Sequence, residues 1–345
     1  MPDEFIMIKK IIKLTIFFLI PIWVIFSNFG WLGKGKEKIN IVRENKGQEG
    51  ENDFIDLNKY NLFPIDRAVA SGVVPTRSKD YYDQKIWAGS SVAIDVDSGT
   101  ILYYDNGRKK TQIASLTKLM TAILAVENIQ NLETNIVTIP REASLLPGTV
   151  VGCPTSGVCP SNRLYTGEKV KAINLLRVML MNSANDAAYS LAYNISGNEE
   201  KFVKEMNEKA KSLGLKDTHF CTASGLEIDG QEDQCYSSAY DIARIGAYSL
   251  KYDLIWEIMR IPDGKFYSAD GTYMHELVNT DILVGEDSKF IGGKTGFTPM
   301  AGKSLLAAAK DPEGHRIVAV LLDDEKRWED MRTLVNWAFE AYEWK

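Results

Sequence analysis

Residues 91–128 read SVAIDVDSGTILYYDNGRKKTQIASLTKLMTAILAVEN, and the apolar pattern changes its period once along this stretch. Ser91–Val96 and Thr100–Tyr104 are strand-like runs on either side of the turn Asp97-Ser98-Gly99, which predicts a β-hairpin. From Ser115 to Asn128 the apolar side chains recur at helical spacing, so a helix that starts at Ser115 should follow the hairpin.

The rest of the globular part repeats these two patterns in separate blocks. Helical spacing dominates the middle, and strand-like runs return near the C-terminus before a last helix. The predicted helices are Val170–Met181, Asp186–Ile195, Glu199–Leu213 and Lys326–Trp344, and the predicted strands are Ser304–Ala309 and Arg316–Leu322. This order predicts an α+β fold: an antiparallel sheet built from N- and C-terminal strands, flanked by helices, with a mostly helical middle subdomain.

The composition excludes several classes of protein. Of the 345 residues, 45% are hydrophobic and 25% are charged, which rules out wholesale disorder, a collagen-like fibre and a polytopic membrane protein. The formal net charge of -6 argues against nucleic-acid binding, because nucleic-acid binders usually present a basic face. With only 3 histidines, a metal site built from several His is not expected, and a Ser-His-Asp triad has few candidate bases.

The N-terminal segment differs from everything that follows it. Leu14–Phe26 (LTIFFLIPIWVIF) is uncharged and apolar, and no A-x-A cleavage pattern follows it. This favours an uncleaved membrane anchor over a cleaved signal peptide or a buried soluble helix. We therefore expect residues 1–32 to be a membrane anchor or signal segment, residues 33–60 a flexible polar linker, and residues 61–345 an extracytoplasmic globular domain.

The 4 cysteines fit an exported protein. Pairing Cys153 with Cys159 and Cys221 with Cys235 closes the shortest loops among the possible connectivities, and we expect these two bridges. Four free thiols in a reduced compartment are the alternative. Neither spacing matches the short C-x₂₋₄-C pairs of structural zinc sites.

The first chemical motif is Ser115-Leu116-Thr117-Lys118, an S-x-x-K. Positions i and i+3 share one face of a helix, so the lysine amine can reach the serine hydroxyl. A partly desolvated lysine has a lowered pKa and can remove the hydroxyl proton, which makes the serine a nucleophile. The alternative is a Ser N-cap followed by an exposed Lys.

The second motif is Ser183-Ala184-Asn185, in the turn between two predicted helices. Its Ser could relay a proton, and its Asn could hold a substrate amide. The tripeptide alone says little, because Ser183 or Asn185 could equally be the N-cap of the following helix.

The third motif is Lys294-Thr295-Gly296, at the predicted start of a strand that Gly292 and Gly293 introduce. Lys294 could supply a fixed positive charge for a carboxylate, Thr295 a hydroxyl donor, and Gly296 a place where a ligand approaches the backbone. The alternative is a solvated Lys on an edge strand.

Together the three motifs resemble those of the low-molecular-mass penicillin-binding proteins, the serine D-alanyl-D-alanine carboxypeptidase family. The resemblance covers roughly residues 60–345. Further segments carry it: Ala114–Thr121, Asn185–Ala188, Leu213–Leu215, Thr218–Phe220, Ser238–Ala239 with Asp241, Gly293–Phe297 and Ala301–Gly302. Two departures from the family pattern are Ala184, where Gly is common, and Cys235, where His is common; neither removes a reacting group.

The resemblance implies an activity and a role for each motif residue. The chain would remove the terminal D-Ala from peptidoglycan stem peptides without a cofactor, and β-lactam antibiotics would be covalent inhibitors. Ser115 would be acylated, with Lys118 as its general base. Ser183 and Asn185 would line the cleft. The substrate-binding group would be Lys294, Thr295, Gly296 and Phe297, with the backbone N–H groups of Ser115 and Phe297 as the oxyanion hole.

Three other functions compete with this one. A DD-endopeptidase would cut peptidoglycan cross-links with the same machinery. A class A β-lactamase needs a Glu in an E-x-x-L-N element, and no such element occurs between Asn185 and Lys294. A catalytically silent protein of the same fold is disfavoured by the intact Ser115 and Lys118.

Overall fold

The computed structural model describes residues 73–78, 81–147, 163–231 and 233–345. The strands are β1 (Pro75–Arg77), β2 (Ser90–Asp95), β3 (Ile101–Asp105), β4 (Ile136–Thr138), β5 (Lys169–Lys171), β6 (Asp263–Tyr267), β7 (Met274–Val278), β8 (Phe290–Thr298), β9 (Gly302–Lys310), β10 (Arg316–Leu322) and β11 (Tyr342–Trp344). The helices are α1 (Lys118–Asn128), α2 (Arg141–Ser144), α3 (Ala172–Met181), α4 (Asn185–Ser196), α5 (Glu199–Ser212), α6 (Ala239–Ser249), α7 (Asp253–Met259) and α8 (Arg327–Ala341).

The main sheet joins strands from both ends of the described chain. Its order is β3-β2-β10-β9-β8, and each neighbouring pair is antiparallel. Alternate side chains point to opposite faces, so Val92 and Val318 enter one hydrophobic cluster while Ala93 and Ala319 enter another. Because both faces are covered, β10 is apolar from Ile317 to Leu322 instead of alternating with polar residues.

Helices cover both faces of this sheet. The apolar side of α8, with Leu334 and Trp337, packs against the cluster that contains Ala93. On the other face α6 contacts β2, β9 and β10, and α1 packs between α6 and the helices α3, α4 and α5. The predicted α+β layout, with a mostly helical middle between the N- and C-terminal strands, is confirmed.

Four predicted boundaries were wrong. The helix expected from Ser115 begins at Lys118, after a 3₁₀ turn over Ala114–Thr117. Residues 169–171 are a strand that pairs with β4, and the helix expected from Val170 begins after it. The last helix ends at Ala341, because the final residues pair with β1. The motif Lys294-Thr295-Gly296 lies in the middle of β8, not at its start.

The disulfide predicted between Cys221 and Cys235 is present. Cys153, Cys159 and the apolar run Leu14–Phe26 lie outside the described residues, as do the expected limits of the anchor and the linker. Within the described ranges no helix has both the length and the apolar character needed to cross a bilayer.

Candidate active site

Ser115 lies on the 3₁₀ turn that precedes α1. Residues three apart are nearly eclipsed on a 3₁₀ turn, so Ser115 and Lys118 face each other more directly than on an α-helix. Ala114, immediately before the serine, has a φ of 47°, in the left-handed region that non-glycine residues rarely adopt. The chain thus enters the turn in a strained conformation, which commonly marks a functional site.

The Lys118 amine lies at the centre of a small polar cluster. Its Nζ is 2.7 Å from Ser115 Oγ, 2.8 Å from Asn185 Oδ1 and 2.7 Å from the Ser224 carbonyl oxygen. The Asn185 amide is fixed in this orientation, because its Nδ2 donates to the Pro147 carbonyl at 2.9 Å. Three partners therefore surround the lysine nitrogen.

The chemical nature of these partners orients the amine. The Asn185 and Ser224 oxygens can only accept hydrogen bonds, so they take two N–H groups of a neutral lysine amine. The nitrogen lone pair then points to the remaining partner, the Ser115 hydroxyl, which can donate its proton. The cluster thus aligns the lysine for proton abstraction from Ser115.

The surroundings of Lys118 also favour its neutral form. The side chain is 0% exposed, and this burial lowers its pKa well below the usual lysine value. The positive charge of Lys294 lowers the pKa further, whereas Asp186 opposes the shift. Asp186 is itself fully buried, and desolvation raises its pKa to about 6. A neutral amine beside a serine hydroxyl is the arrangement that a lysine general base requires.

Ser183 and Asn185 lie at the start of α4, beside this cluster. Ser183 is buried and has a φ of 62°, again in the left-handed region. The N-cap of α4 is Ala184, and neither Ser183 nor Asn185 occupies the N-cap position. The alternative that either residue is only an N-cap is therefore wrong.

Lys294 is buried in the middle of β8, with 1% of its surface exposed. Burial lowers its pKa to about 7, the carboxylate of Asp281 opposes this shift, and the guanidinium of Arg327 adds to it. Asp281 is buried as well, and desolvation raises its pKa to about 6. Lys294 therefore loses its charge as the pH rises through a pKa of about 7, and it can supply the expected positive charge in its protonated form.

The other residues of this motif connect β8 to the serine. Thr295 Oγ1 is 2.6 Å from Thr280 Oγ1. A Cβ atom on Gly296 would lie 3.0 Å from the Ile113 carbonyl oxygen, so the glycine lets β8 approach the 3₁₀ turn closely. Phe297 follows with 61% of its surface exposed. The strand that carries Lys294 thus lies directly beside the turn that carries Ser115.

Two further alternatives from the sequence are wrong. Lys118 is not an exposed residue behind an N-cap serine, and Lys294 is not solvated, although β8 is an edge strand.

Sequence reasoning also missed the Ser224 carbonyl, Asp281 and Arg327. A backbone carbonyl has no sequence signature, whereas a carboxylate within the apolar segment around Asp281 is a signal that could have been noticed.

A profile of the D-alanyl-D-alanine carboxypeptidase family (Peptidase_S11) matches residues 76–326. The chain belongs to this family. Within it, the chain is 33% identical over 268 residues to D-alanyl-D-alanine carboxypeptidase DacF of Bacillus subtilis, covering 74% of this chain and 63% of that protein. It thus spans less than two thirds of that relative's length.

Two further comparisons concern a related endopeptidase and a solved structure. The chain is 31% identical over 224 residues to a D-alanyl-D-alanine endopeptidase of Pseudomonas aeruginosa, covering 65% of this chain and 67% of that one. Among solved structures, penicillin binding protein 5 of Haemophilus influenzae superposes with a TM-score of 0.65 at 30% identity, covering 75% of this chain and 73% of that one. The DD-peptidase fold predicted from the three motifs is confirmed.

Proposed function

We propose that this protein is a serine D-alanyl-D-alanine carboxypeptidase that removes the terminal D-Ala from peptidoglycan stem peptides. The observation that carries the proposal is the bonding of the Lys118 amine. It is buried, its pKa is lowered, and its two accept-only partners direct its lone pair to Ser115. Family membership supplies the substrate class.

The reaction begins with proton transfer from Ser115 to Lys118 as the serine oxygen attacks the peptide carbonyl between the two D-Ala residues. The resulting oxyanion would be held by the backbone N–H groups of Ser115 and Phe297, and each such donor typically contributes about 3–4 kcal/mol. Collapse of this intermediate expels D-Ala, whose nitrogen takes the proton from Lys118 and so leaves the lysine neutral again. The remaining peptide stays on Ser115 as an ester.

A water molecule completes the cycle. It attacks the ester carbonyl, Lys118 takes a proton from the water, and Ser115 Oγ leaves and is protonated again. Ser183 would relay protons near the cleft, and Asn185, whose Oδ1 accepts from Lys118, could hold a substrate amide. No metal or organic cofactor takes part in these steps.

The free carboxylate of the substrate would be bound on the other side of Ser115. Lys294 in its protonated form supplies the charge, and Thr295 supplies a hydroxyl donor. The close approach of β8 to the 3₁₀ turn at Gly296 supports this placement, because it sets the carboxylate site beside the nucleophile. Specificity for a peptide with a free C-terminal carboxylate would follow from this anchor.

Acylation by penicillin tests the proposal. Mass spectrometry of the treated protein should show a penicilloyl adduct on the peptide that contains Ser115, and Ser115→Ala should lack it. An adduct on another serine would show that the nucleophile is misassigned.

A DD-endopeptidase is the second candidate, and the Pseudomonas aeruginosa relative of that name favours it. The two activities differ only in the leaving group, which is D-Ala in one case and a cross-linked peptide in the other. Incubation with a pentapeptide and, separately, with a cross-linked dimer distinguishes them. Release of D-Ala from the pentapeptide with the dimer intact supports the carboxypeptidase.

The site of action is proposed to be the outer side of the cytoplasmic membrane. Residues 1–32 would anchor the chain, residues 33–60 would form the linker and residues 61–345 the catalytic domain. The apolar run after Lys9, Lys10 and Lys13 supports the anchor, and the Cys221–Cys235 disulfide supports an oxidising compartment. The protein should stay in the membrane fraction after alkaline carbonate washing; release by this wash would contradict the anchor.

A further inference from the structure

The disulfide Cys221–Cys235 closes a loop that reaches the catalytic lysine. At the base of the loop the backbones of His219 and Tyr236 bond to each other in both directions, at 2.8 and 3.0 Å, directly beside the disulfide. The Ser224 carbonyl, three residues beyond Cys221, accepts from Lys118 Nζ. A covalent bridge outside the three family motifs thus lies three residues along the chain from an acceptor of the proposed base.

The next residue of the loop presses against the nucleophile turn. Gly225 has a φ of 80°, and a Cβ atom there would lie 1.9 Å from the Ala114 carbonyl oxygen. Only a residue without a side chain permits this approach. Ser224 and Gly225 therefore contact, respectively, the lysine and the turn of Ser115.

The arm of the loop before Ser224 is held by two hydrogen bonds of Ala223. The Ala223 carbonyl accepts from Thr121 Oγ1 at 2.6 Å, and the Ala223 N–H donates to Glu199 Oε1 at 2.9 Å. The arm after Gly225 returns to the body of the protein through Cys235. A cavity of about 30 Å³, room for about one water molecule, is lined by both cysteines, Ala114, Thr117 and Gly225.

We propose that the Cys221–Cys235 bridge holds the Ser224 carbonyl against Lys118, and thereby sets the rate at which Ser115 is acylated. Without the Ser224 acceptor the amine can rotate, and its lone pair no longer points only to the serine hydroxyl. The bridge and Ser224 act through Lys118 and are positioning elements, not catalytic residues. This inference rests on the proposed function.

Opening the bridge in the folded protein tests the inference. In a Cys153→Ser/Cys159→Ser background only Cys221 and Cys235 can respond to dithiothreitol. The dithiol is oxidised to its cyclic disulfide, and the protein disulfide takes up two electrons and two protons to give two thiols. Titration of two thiols, with unchanged circular dichroism, verifies this reduced state.

The measurement is the acylation of Ser115 by a fluorescent penicillin over a range of concentrations. We expect the maximal acylation rate constant to fall about tenfold on reduction. The apparent dissociation constant of the initial complex should change less than twofold, since Lys294 and Thr295 lie on β8, outside the loop. A loss of folded protein would instead lower the amplitude of labelling at an unchanged rate, and this result would overturn the inference.

The pH dependence of the acylation rate constant is a second measurement. A bridge that only stabilises the fold would leave this dependence unchanged. Burial is the main cause of the low pKa of Lys118, and the charged groups that act on it are Lys294 of β8 and Asp186 of α4. Water that enters when the loop opens favours the charged amine, so the acid limb of the acylation profile should move to higher pH. An unchanged rate constant and an unchanged limb in the reduced protein would overturn the inference.

Two variants complete the test. Cys221→Ser/Cys235→Ser should acylate slowly and be insensitive to dithiothreitol, and Gly225→Ala should slow acylation with the bridge intact. If the oxidised protein forms no adduct on Ser115 at all, the proposed function fails and this inference fails with it. If it forms the adduct and the reduced protein does so equally fast, only the positioning role is wrong.

Discussion

Lys118 and Lys294 are both buried lysines, but their side chains have different neighbours. The Lys118 nitrogen bonds to neutral oxygens from the 3₁₀ turn, α4 and the loop after Cys221. Lys294 lies near a carboxylate, Asp281, and a guanidinium, Arg327, and its Nζ donates to the Thr295 carbonyl at 3.1 Å. Burial lowers the pKa of both lysines.

The difference lies in the compensating charge. Lys118 is surrounded by dipoles, with Asp186 as its opposing charge, so its pKa falls well below the usual value and it can act as a base. Asp281 holds the pKa of Lys294 near 7, so a large share of the side chain is charged at neutral pH and can bind an anion. The same residue type therefore suits proton transfer in one region and charge recognition in the other.

Removal of Lys118 should have the largest effect. Lys118→Ala leaves Ser115 without a base, and the maximal acylation rate should fall about 10³-fold. Saturating substrate cannot restore a rate that is limited by proton transfer, so the loss should appear in kcat. Stopped-flow acylation with penicillin measures it. A near-normal rate in this variant would show that Lys118 is not the base.

Removal of Lys294 should have a smaller effect, and mainly on binding. Lys294→Ala deletes a charged hydrogen bond to the substrate carboxylate, which should raise KM about 10- to 100-fold. Peptides with a C-terminal amide should bind equally well to both proteins. Lys294→Arg keeps the charge and should retain more activity than Lys294→Ala. If Lys294→Ala still prefers carboxylate over amide substrates, Lys294 does not read the carboxylate.

Neutralising Asp281 should change the pH dependence of binding. Lys294 must be protonated to hold an anion, so 1/KM for a carboxylate peptide should fall as the pH rises through about 7. The Asp281 charge raises the pKa of Lys294, and Asp281→Asn removes it. The alkaline limb should therefore move to lower pH, with a loss of affinity of up to about tenfold at pH 7.5. Measuring KM from pH 5.5 to 9 locates the alkaline limb of 1/KM. If this limb lies at the same pH in Asp281→Asn, the Asp281 charge does not raise the pKa of Lys294.

Arg327 provides the matched change of opposite sign, with the smallest expected effect. Its guanidinium lowers the pKa of Lys294, less strongly than Asp281 raises it. Arg327→Gln should therefore shift the alkaline limb to higher pH and improve binding about two- to threefold at pH 8. The same series of KM measurements detects the shift. A shift in the same direction as that of Asp281→Asn would mean that the two variants act through distortion of β8, not through charge.

Several features could be predicted from the sequence because they depend on local spacing. The interval between Ser115 and Lys118 fixes their shared face on either type of helix, so the contact was predicted although the helix type was wrong. The hairpin of β2 and β3 and the strands β9 and β10 follow from apolar runs around turns. The Cys221–Cys235 pairing follows from short loop closure.

Other features were decided by the tertiary structure alone. Lys294 titrates near neutral pH because distant parts of the chain bury it and bring Asp281 and Arg327 beside it. The Ser224 carbonyl reaches Lys118 because a disulfide-closed loop folds back onto α1. Both results depend on long-range packing. Neither the burial of a side chain nor the position of a backbone carbonyl can be predicted from the spacing of residues in the sequence. The sequence by itself thus determined which side chains are candidates for the reaction, and the tertiary structure decided their burial, their charged neighbours and their orientation.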